Sequence, residues 1–210
     1  MNPVPRSVLV ALVGLTFVTG LIDAASVLGL GHVFVANMTG NVVFLGFSLL
    51  GKGSIAPASA ALALGSFLLG ALLGGWLARP AQPRGMQVGF PTEVALLVLA
   101  AAAALLGAPN ELIIFLLSFA MGLRNALVRA LAVPDMTTTV LTLTLTGLAA
   151  DSSLAGGANP RIGRRLASIS AMLLGAAAGA WAQSVAITGA ALIEATAVFA
   201  LLRALGHARS

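Results

Sequence analysis

The chain has no cysteine and few charges. Without thiols there are no disulfides, no thiolate nucleophile and no cysteine metal site. The two histidines, His32 and His207, cannot build a metal cage by themselves. Catalytic signatures are missing as well. The sequence contains no H-E-x-x-H, no G-x-S-x-G, no Walker lysine and no carboxylate pair at useful spacing. The expectation is a protein that is not an enzyme and that needs no cofactor.

Charge is the most informative shortage. Charged residues make up 8% of the 210 residues against 59% apolar ones, and the mean hydropathy is +1.05. A water-soluble chain of this length carries far more charge. Charges are absent from Ala24 to Gly51, from Gly53 to Ala78 and from Leu166 to Ile193. Each run exceeds the ~20 residues that cross a ~30 Å hydrocarbon core. The 24 glycines suit close helix packing in lipid. These features define an all-α polytopic membrane protein whose partner is the lipid bilayer. The net charge of +5 does not point to nucleic acid, because the basic residues sit mostly in short loops between apolar runs.

Apolar segments run roughly over Ser7–Leu30, Met38–Gly51, Ile55–Leu77, Thr92–Leu106, Leu112–Ala132, Met136–Ala150, Leu166–Ala182 and Ser184–Leu205. Two of them, Met38–Gly51 and Met136–Ala150, are too short to cross comfortably. Gly31–Asn37 reads as extended, with β-prone Val33, Phe34 and Val35. Ala78–Pro91 is a polar loop with Pro80, Pro83, Gly85 and Pro91, a hinge between halves. Val8–Thr19 has the look of a signal-peptide core. It is retained as part of the fold, because the residues after it belong to a repeat.

That repeat divides the single membrane domain into about 7–106 and about 110–206. Gly20-Leu21-Ile22-Asp23-Ala24 matches Gly122-Leu123-Arg124-Asn125-Ala126, and Asn37-Met38-Thr39 matches Asp135-Met136-Thr137. Gly70, Gly74 and Trp76 match Gly175, Gly179 and Trp181 in the same order. Loop charge sets orientation. With six spanning helices and two short re-entrant ones, Arg6, Arg79, Arg84, Arg161, Arg164, Arg165, Arg203 and Arg209 lie in the cytoplasm and Lys52 outside. Both termini are then cytoplasmic, and the second copy is inverted relative to the first. With eight spans, Lys52, Arg79 and Arg84 change sides; the positive-inside rule favours six.

Candidate site residues cluster at the short elements. Asn37 and Thr39 open the first; Asp135, Thr137, Thr138 and Thr139 open the second after Pro134. Such side chains cap helix N-termini, and a helix that starts inside the membrane turns its free N–H groups toward a polar cavity. The competing reading is an ordinary capped loop at the interface. Asp23 lies within an apolar run, where an ionisable group faces a cavity or a partner; it is read either as a proton-coupling or solute-binding group or as a cap for a neighbouring helix. Asn125 takes the matching place. Arg124 is read as pairing with Asp23 or Asp135, as holding an anion, or as snorkelling to the surface with Arg129. The Thr142, Thr144, Thr146 alternation fits a strand as well as a helix. Gly70-x3-Gly74 and Gly175-x3-Gly179 are packing faces that also suggest a homodimer. Trp76 and Trp181 are read as interface anchors, and Glu194 as a group facing the same cavity as Asp23.

Gly20–Ala24 with Asn37-Met38-Thr39-Gly40-Asn41, then Asn125-Ala126 with Met136-Thr137-Thr138-Thr139, resemble the YoaK-like family of small bacterial inner-membrane proteins, a family classed as a domain of unknown function. The resemblance spans nearly the whole chain and implies a compact multi-pass protein of the bacterial inner membrane, without supplying a substrate. The strand-then-short-helix element is also similar to the substrate site of the nucleobase and sulfate transporter fold, by analogy of fold alone. The resulting expectation is a transporter or channel for a small polar or anionic solute. Its site lies where Asn37–Asn41 and Asp135–Thr139 converge beside Asp23, Arg124 and Asn125. The alternative is a non-transporting sensory, lipid-binding or assembly module.

Overall fold

A computed structural model of the chain describes residues 4–52, 57–82, 84–158, 160–183 and 185–207, with the side chain of His207 excluded. Arg209 and the expected segment starts at Ile55 and Ser184 lie outside the described residues, as does Pro83 of the expected hinge. The helices are α1 (Arg6–Gly29), α2 (Met38–Leu49), α3 (Pro57–Leu77), α4 (Gly85–Leu105), α5 (Asn110–Leu131), α6 (Thr142–Ala150), α7 (Ile162–Trp181) and α8 (Ala186–His207), with one 3₁₀ turn at Ser153–Ala155. No strand occurs among the described residues. Five helices, α1, α3, α4, α5 and α8, are long and apolar enough to cross a membrane. The sequence expectation of about six spans includes α7, which carries Arg164 and Arg165 in its first turn and is not among the five.

Helix ends follow local chemistry. Pro5 and Pro109 stand directly before α1 and α5, and Pro57 opens α3, where a missing N–H costs nothing. Glu111 in the first turn of α5 and Arg129 in its last match the helix dipole. Gly107, at φ +69°, turns α4 into α5.

The expected polar loop Ala78–Pro91 is shorter than the sequence suggests, because α4 begins at Gly85 and holds Pro91 inside it. Phe90 is fully buried, and Gly85 lies so close to the Leu77 carbonyl oxygen that a Cβ there would stand at 1.7 Å. Packing thus overrides the proline, whose freed carbonyl is tolerated in apolar helices.

The buried apolar residues form two clusters. One joins Val8, Leu12 and Leu15 of α1 to Leu77, Phe90, Leu127 and Leu201. The other joins Ile22 and Ala25 of α1 to Ala60, Leu97, Ile114 and Ala190. Each cluster therefore takes the start of some helices and the end of others, so α1 and α4 run one way and α3, α5 and α8 the other. Within this bundle α1 packs on α7 and α8, whereas α5 packs on α3 and α4. The close crossings use glycine. Gly70 and Gly74 lie on the backbone of Phe119 and Leu123, and Gly175 and Gly179 on that of Phe17 and Leu21. Both small-residue faces are thus used inside the molecule. Leucines such as Leu72, Leu99, Leu173 and Leu192 point outward, as a lipid-facing surface requires.

Candidate functional site

Two non-helical segments interrupt the bundle, and each is held by one polar residue of a long helix. Backbone outside a helix must find partners when water is absent. After α1, Gly31 (φ +92°) and His32 (φ +63°) turn the chain back on itself. The Asp23 Oδ1 atom accepts the N–H groups of Val35 (3.0 Å) and Ala36 (2.8 Å). Asp23 lies six residues before Gly29, so these amides return about 9 Å along α1 from its end, at ~1.5 Å per residue. Asn41 completes the clamp: its Oδ1 accepts the Phe34 N–H at 3.0 Å and its Nδ2 donates to the Phe34 carbonyl at 2.6 Å. The Phe34 ring stacks on Phe44 with centroids 5.9 Å apart. It also covers Gly40, where a Cβ would meet it at 2.5 Å. Asn41 is fully buried, with its amide committed to this segment.

The second segment, after α5, contains left-handed Ala132, Asp135 and Thr138. A β-branched residue in that region is strained, and the Thr138 hydroxyl is buried without a partner. Thr139 donates its hydroxyl to Asn125 Oδ1, while Asn125 Nδ2 donates to the Met121 carbonyl at 2.9 Å. Thr137 donates to the Val140 carbonyl at 3.0 Å. Asn125 thus ties this segment to α5, as Asp23 ties the first to α1.

The capping arrangement differs from expectation. Asn37 directly precedes α2 without making a side-chain cap, and α6 begins only at Thr142, after Leu141. Asp135 is no cap, because Arg161 and Arg165 draw its carboxylate to the first turn of α7. Partial burial pushes the Asp135 pKa up, but the hydrogen bonds and charges of Arg161 and Arg165 outweigh it and hold it below the ordinary carboxylate value. Arg165 also binds Asp151 at 2.7 Å and the Gly147 carbonyl. Thr142, Thr144 and Thr146 are helical, which removes the strand reading; Thr146 returns its hydroxyl to the Thr142 carbonyl.

Two cavities flank these segments. One, of about 740 Å³, lies between α3 and α5 and is lined by Asn125, Arg129, Met136 and Thr137. The other, of about 700 Å³, lies between α1 and α7 and is lined by Gly20, Asp23, Phe34 and Met172. Asn37, Thr39, Thr139 and Val140 line both. Of the candidate residues, Asp23, Asn37, Thr39, Asn125, Thr137 and Thr139 therefore meet at these two spaces. Asn41, Arg124, Asp135 and Thr138 line neither.

Arg124 is buried at the centre of the bundle. Its Nε binds Glu93 of α4, and its Nη2 binds Glu194 of α8 at 2.6 Å. Its Nη1 donates to the Leu15 carbonyl at 3.1 Å and to the Thr19 hydroxyl at 2.9 Å. The expected partners, Asp23 and Asp135, are bound elsewhere, to loop amides and to Arg161 and Arg165. Nor does Glu194 line the Asp23 cavity. Glu93 is the residue the sequence reading passed over. Its signal was its place beside Glu194: each is the one acid within the last long helix of its half.

A helical bundle with several apolar helices long enough to span, polar groups gathered at two non-helical segments and a buried ionic centre is a multi-pass membrane protein. The chain belongs to the family described as "Protein of unknown function (DUF1275)", which it matches over residues 11–205. It is 31% identical over 154 residues to the "UPF0700 transmembrane protein YoaK" of Bacillus subtilis (strain 168), a match covering 70% of this chain and 68% of that protein. The YoaK-like resemblance read from the motifs is thereby borne out. No solved structure gives a significant match.

Proposed function

We propose that this protein is a transporter or channel for a small polar or anionic solute, built from two inverted repeats with α2 and α6 as re-entrant elements. The observation that carries the reading is the pair of cavities that share Asn37, Thr39, Thr139 and Val140. A solute held at that shared wall has one space on the α3–α5 side and another on the α1–α7 side.

Several features support the inverted arrangement. Gly20 approaches the backbone of Met172 and Ala176, and Gly122 that of Phe67 and Ala71, so the same crossing occurs in both halves. The first helix of each half packs on the last two long helices of the other. Trp76 and Trp181 end α3 and α7, both exposed. The solute class follows from the lining: amide and hydroxyl groups of Asn37, Thr39, Asn125, Thr137 and Thr139, with Arg129 at one cavity. The bacterial inner membrane with cytoplasmic termini is the matching location, since Arg6, Arg79, Arg84, Arg129, Arg161 and Arg203 lie at the helix ends assigned to that side.

The test is uptake into vesicles containing the purified protein, using labelled small carboxylates, inorganic anions, sugars and nucleobases. The expected result is saturable entry of at least one solute above protein-free vesicles, lost when Thr139→Trp fills the shared wall. Flux of none of them, or flux indifferent to Thr139→Trp in a folded variant, removes the reading. A non-transporting scaffold then becomes the better account, favoured by the closed centre around Arg124.

A further inference from the structure

The ionic centre has a charge count that the ion pairs alone do not balance. Arg124 supplies one positive charge, and Glu93 and Glu194 supply two carboxyl groups. All three side chains are fully buried. A surplus negative charge in such a place is strongly unfavourable. Each glutamate uses one oxygen on the guanidinium. The other two oxygens, Glu93 Oε2 and Glu194 Oε1, are buried without a donor. The two carboxyls sit on one guanidinium, Glu93 at Nε and Glu194 at Nη2, which share one edge of the group. Two carboxylates in contact repel, whereas one shared proton makes an O–H···O bond, satisfies both orphan oxygens and removes the surplus charge.

Among the described residues, the contacts of Arg124 bring no further charge to this centre. From α1 the site receives only the Leu15 carbonyl and the Thr19 hydroxyl, both turned to Arg124. Asp23, farther along α1, feels the Arg124 charge but gives its carboxylate to the loop amides. Helix α3 has no ionisable residue. On α7, Arg165 is held by Asp135 and Asp151.

We infer that Glu93 and Glu194 form a proton-binding pair that holds one proton between Glu93 Oε2 and Glu194 Oε1 opposite Arg124. Resting on the transport reading, this pair is also the coupling site: loss of the proton leaves two carboxylates on one guanidinium and drives α4 and α8 apart where the two halves meet. The proton leaves as a proton, with no bond formed or broken other than O–H.

Infrared spectroscopy of the full-length protein in lipid vesicles near neutral pH tests the pair directly. A carboxylic-acid carbonyl band that shifts on deuteration is expected in the wild type. Glu93→Gln and Glu194→Gln should each abolish it, because the remaining carboxylate pairs with Arg124, and Asp23→Asn should leave it. Absence of the band in wild type, its survival in both glutamine variants, or its loss in Asp23→Asn overturns the inference. The wild-type band titrated with pH supplies the same answer if a variant does not fold; its failure to appear at any pH near neutrality is again decisive. For the coupling clause, solute flux into vesicles should depend on pH in wild type and lose that dependence in Glu194→Gln. Flux with unchanged pH dependence overturns coupling while the infrared band stands, and absence of all flux overturns the transport reading while leaving the pair intact.

Discussion

Gly70 and Phe119 touch backbone to backbone: a Cβ on Gly70 would stand 2.0 Å from the Phe119 carbonyl oxygen. Gly175 and Phe17 repeat the contact at the same 2.0 Å on the other side of the bundle. Neither helix pair keeps its spacing with a methyl group inserted. Gly70→Ala and Gly175→Ala should each cost at least about 1–3 kcal/mol. Gly65, on the same helix as Gly70 but with open space around its Cα, is the control. Gly65→Ala should be neutral or stabilise by up to ~1 kcal/mol through helix propensity. Thermal unfolding in detergent distinguishes the two classes.

Removal of the Arg124 guanidinium strands two buried acids. Arg124→Ala should lose about 3–5 kcal/mol and give little folded protein. Adding Glu93→Gln and Glu194→Gln should recover much of that loss, since neutral amides bond to each other. The folded fraction on size-exclusion chromatography is the readout. A triple variant no better than Arg124→Ala would show that Arg124 acts through packing rather than charge.

Asp23 holds two backbone donors with one oxygen. Asp23→Ala should cost about 1–3 kcal/mol for each orphaned N–H, whereas Asp23→Asn keeps an acceptor and loses less. Hydrogen exchange of the Val35 and Ala36 amides should rise sharply in the alanine variant and modestly in the asparagine variant.

The Asp135 pair gives a pH dependence with a fixed sign. Its folded pKa is depressed, so its contribution is fully present above the unfolded carboxylate value of about 3.9. The contribution is lost as pH falls through the lower folded value. Melting temperature should therefore drop at acid pH in wild type and drop less in Asp135→Asn, which should be the less stable protein at neutral pH.

Membrane residence and the all-helical class were legible because they rest on composition, which no tertiary contact can reverse. Family membership was legible in short motifs: Asp23 and Asn41 occur together because one segment needs both of them. The start of α6 was not. Asp135-Met136-Thr137 mimics Asn37-Met38-Thr39 in sequence, but Arg161 and Arg165 capture Asp135, and the helix waits until Thr142. Arginines more than twenty residues away decided that, and local pattern cannot show them. The partners of Arg124 were hidden for the same reason, since Glu93 and Glu194 lie 31 and 70 positions distant.

The cross-packing of α1 on α7 and α8 also sets a schedule for biosynthesis. Helix α1 meets its most extensive packing partners only once α7 and α8 have been made, although Leu15 and Thr19 can already bind Arg124 of α5. Until then Gly175 and Gly179 do not cover the Phe17 and Leu21 backbone, while the crossing of Gly70 on Phe119 can already form. A nascent chain halted after α5 would present α3, α4 and α5 as a packed group with one face of α1 uncovered, open to whatever insertase or protease surveys the bilayer. Assembly of this bundle is a late closing of α7 and α8 upon a helix made long before them.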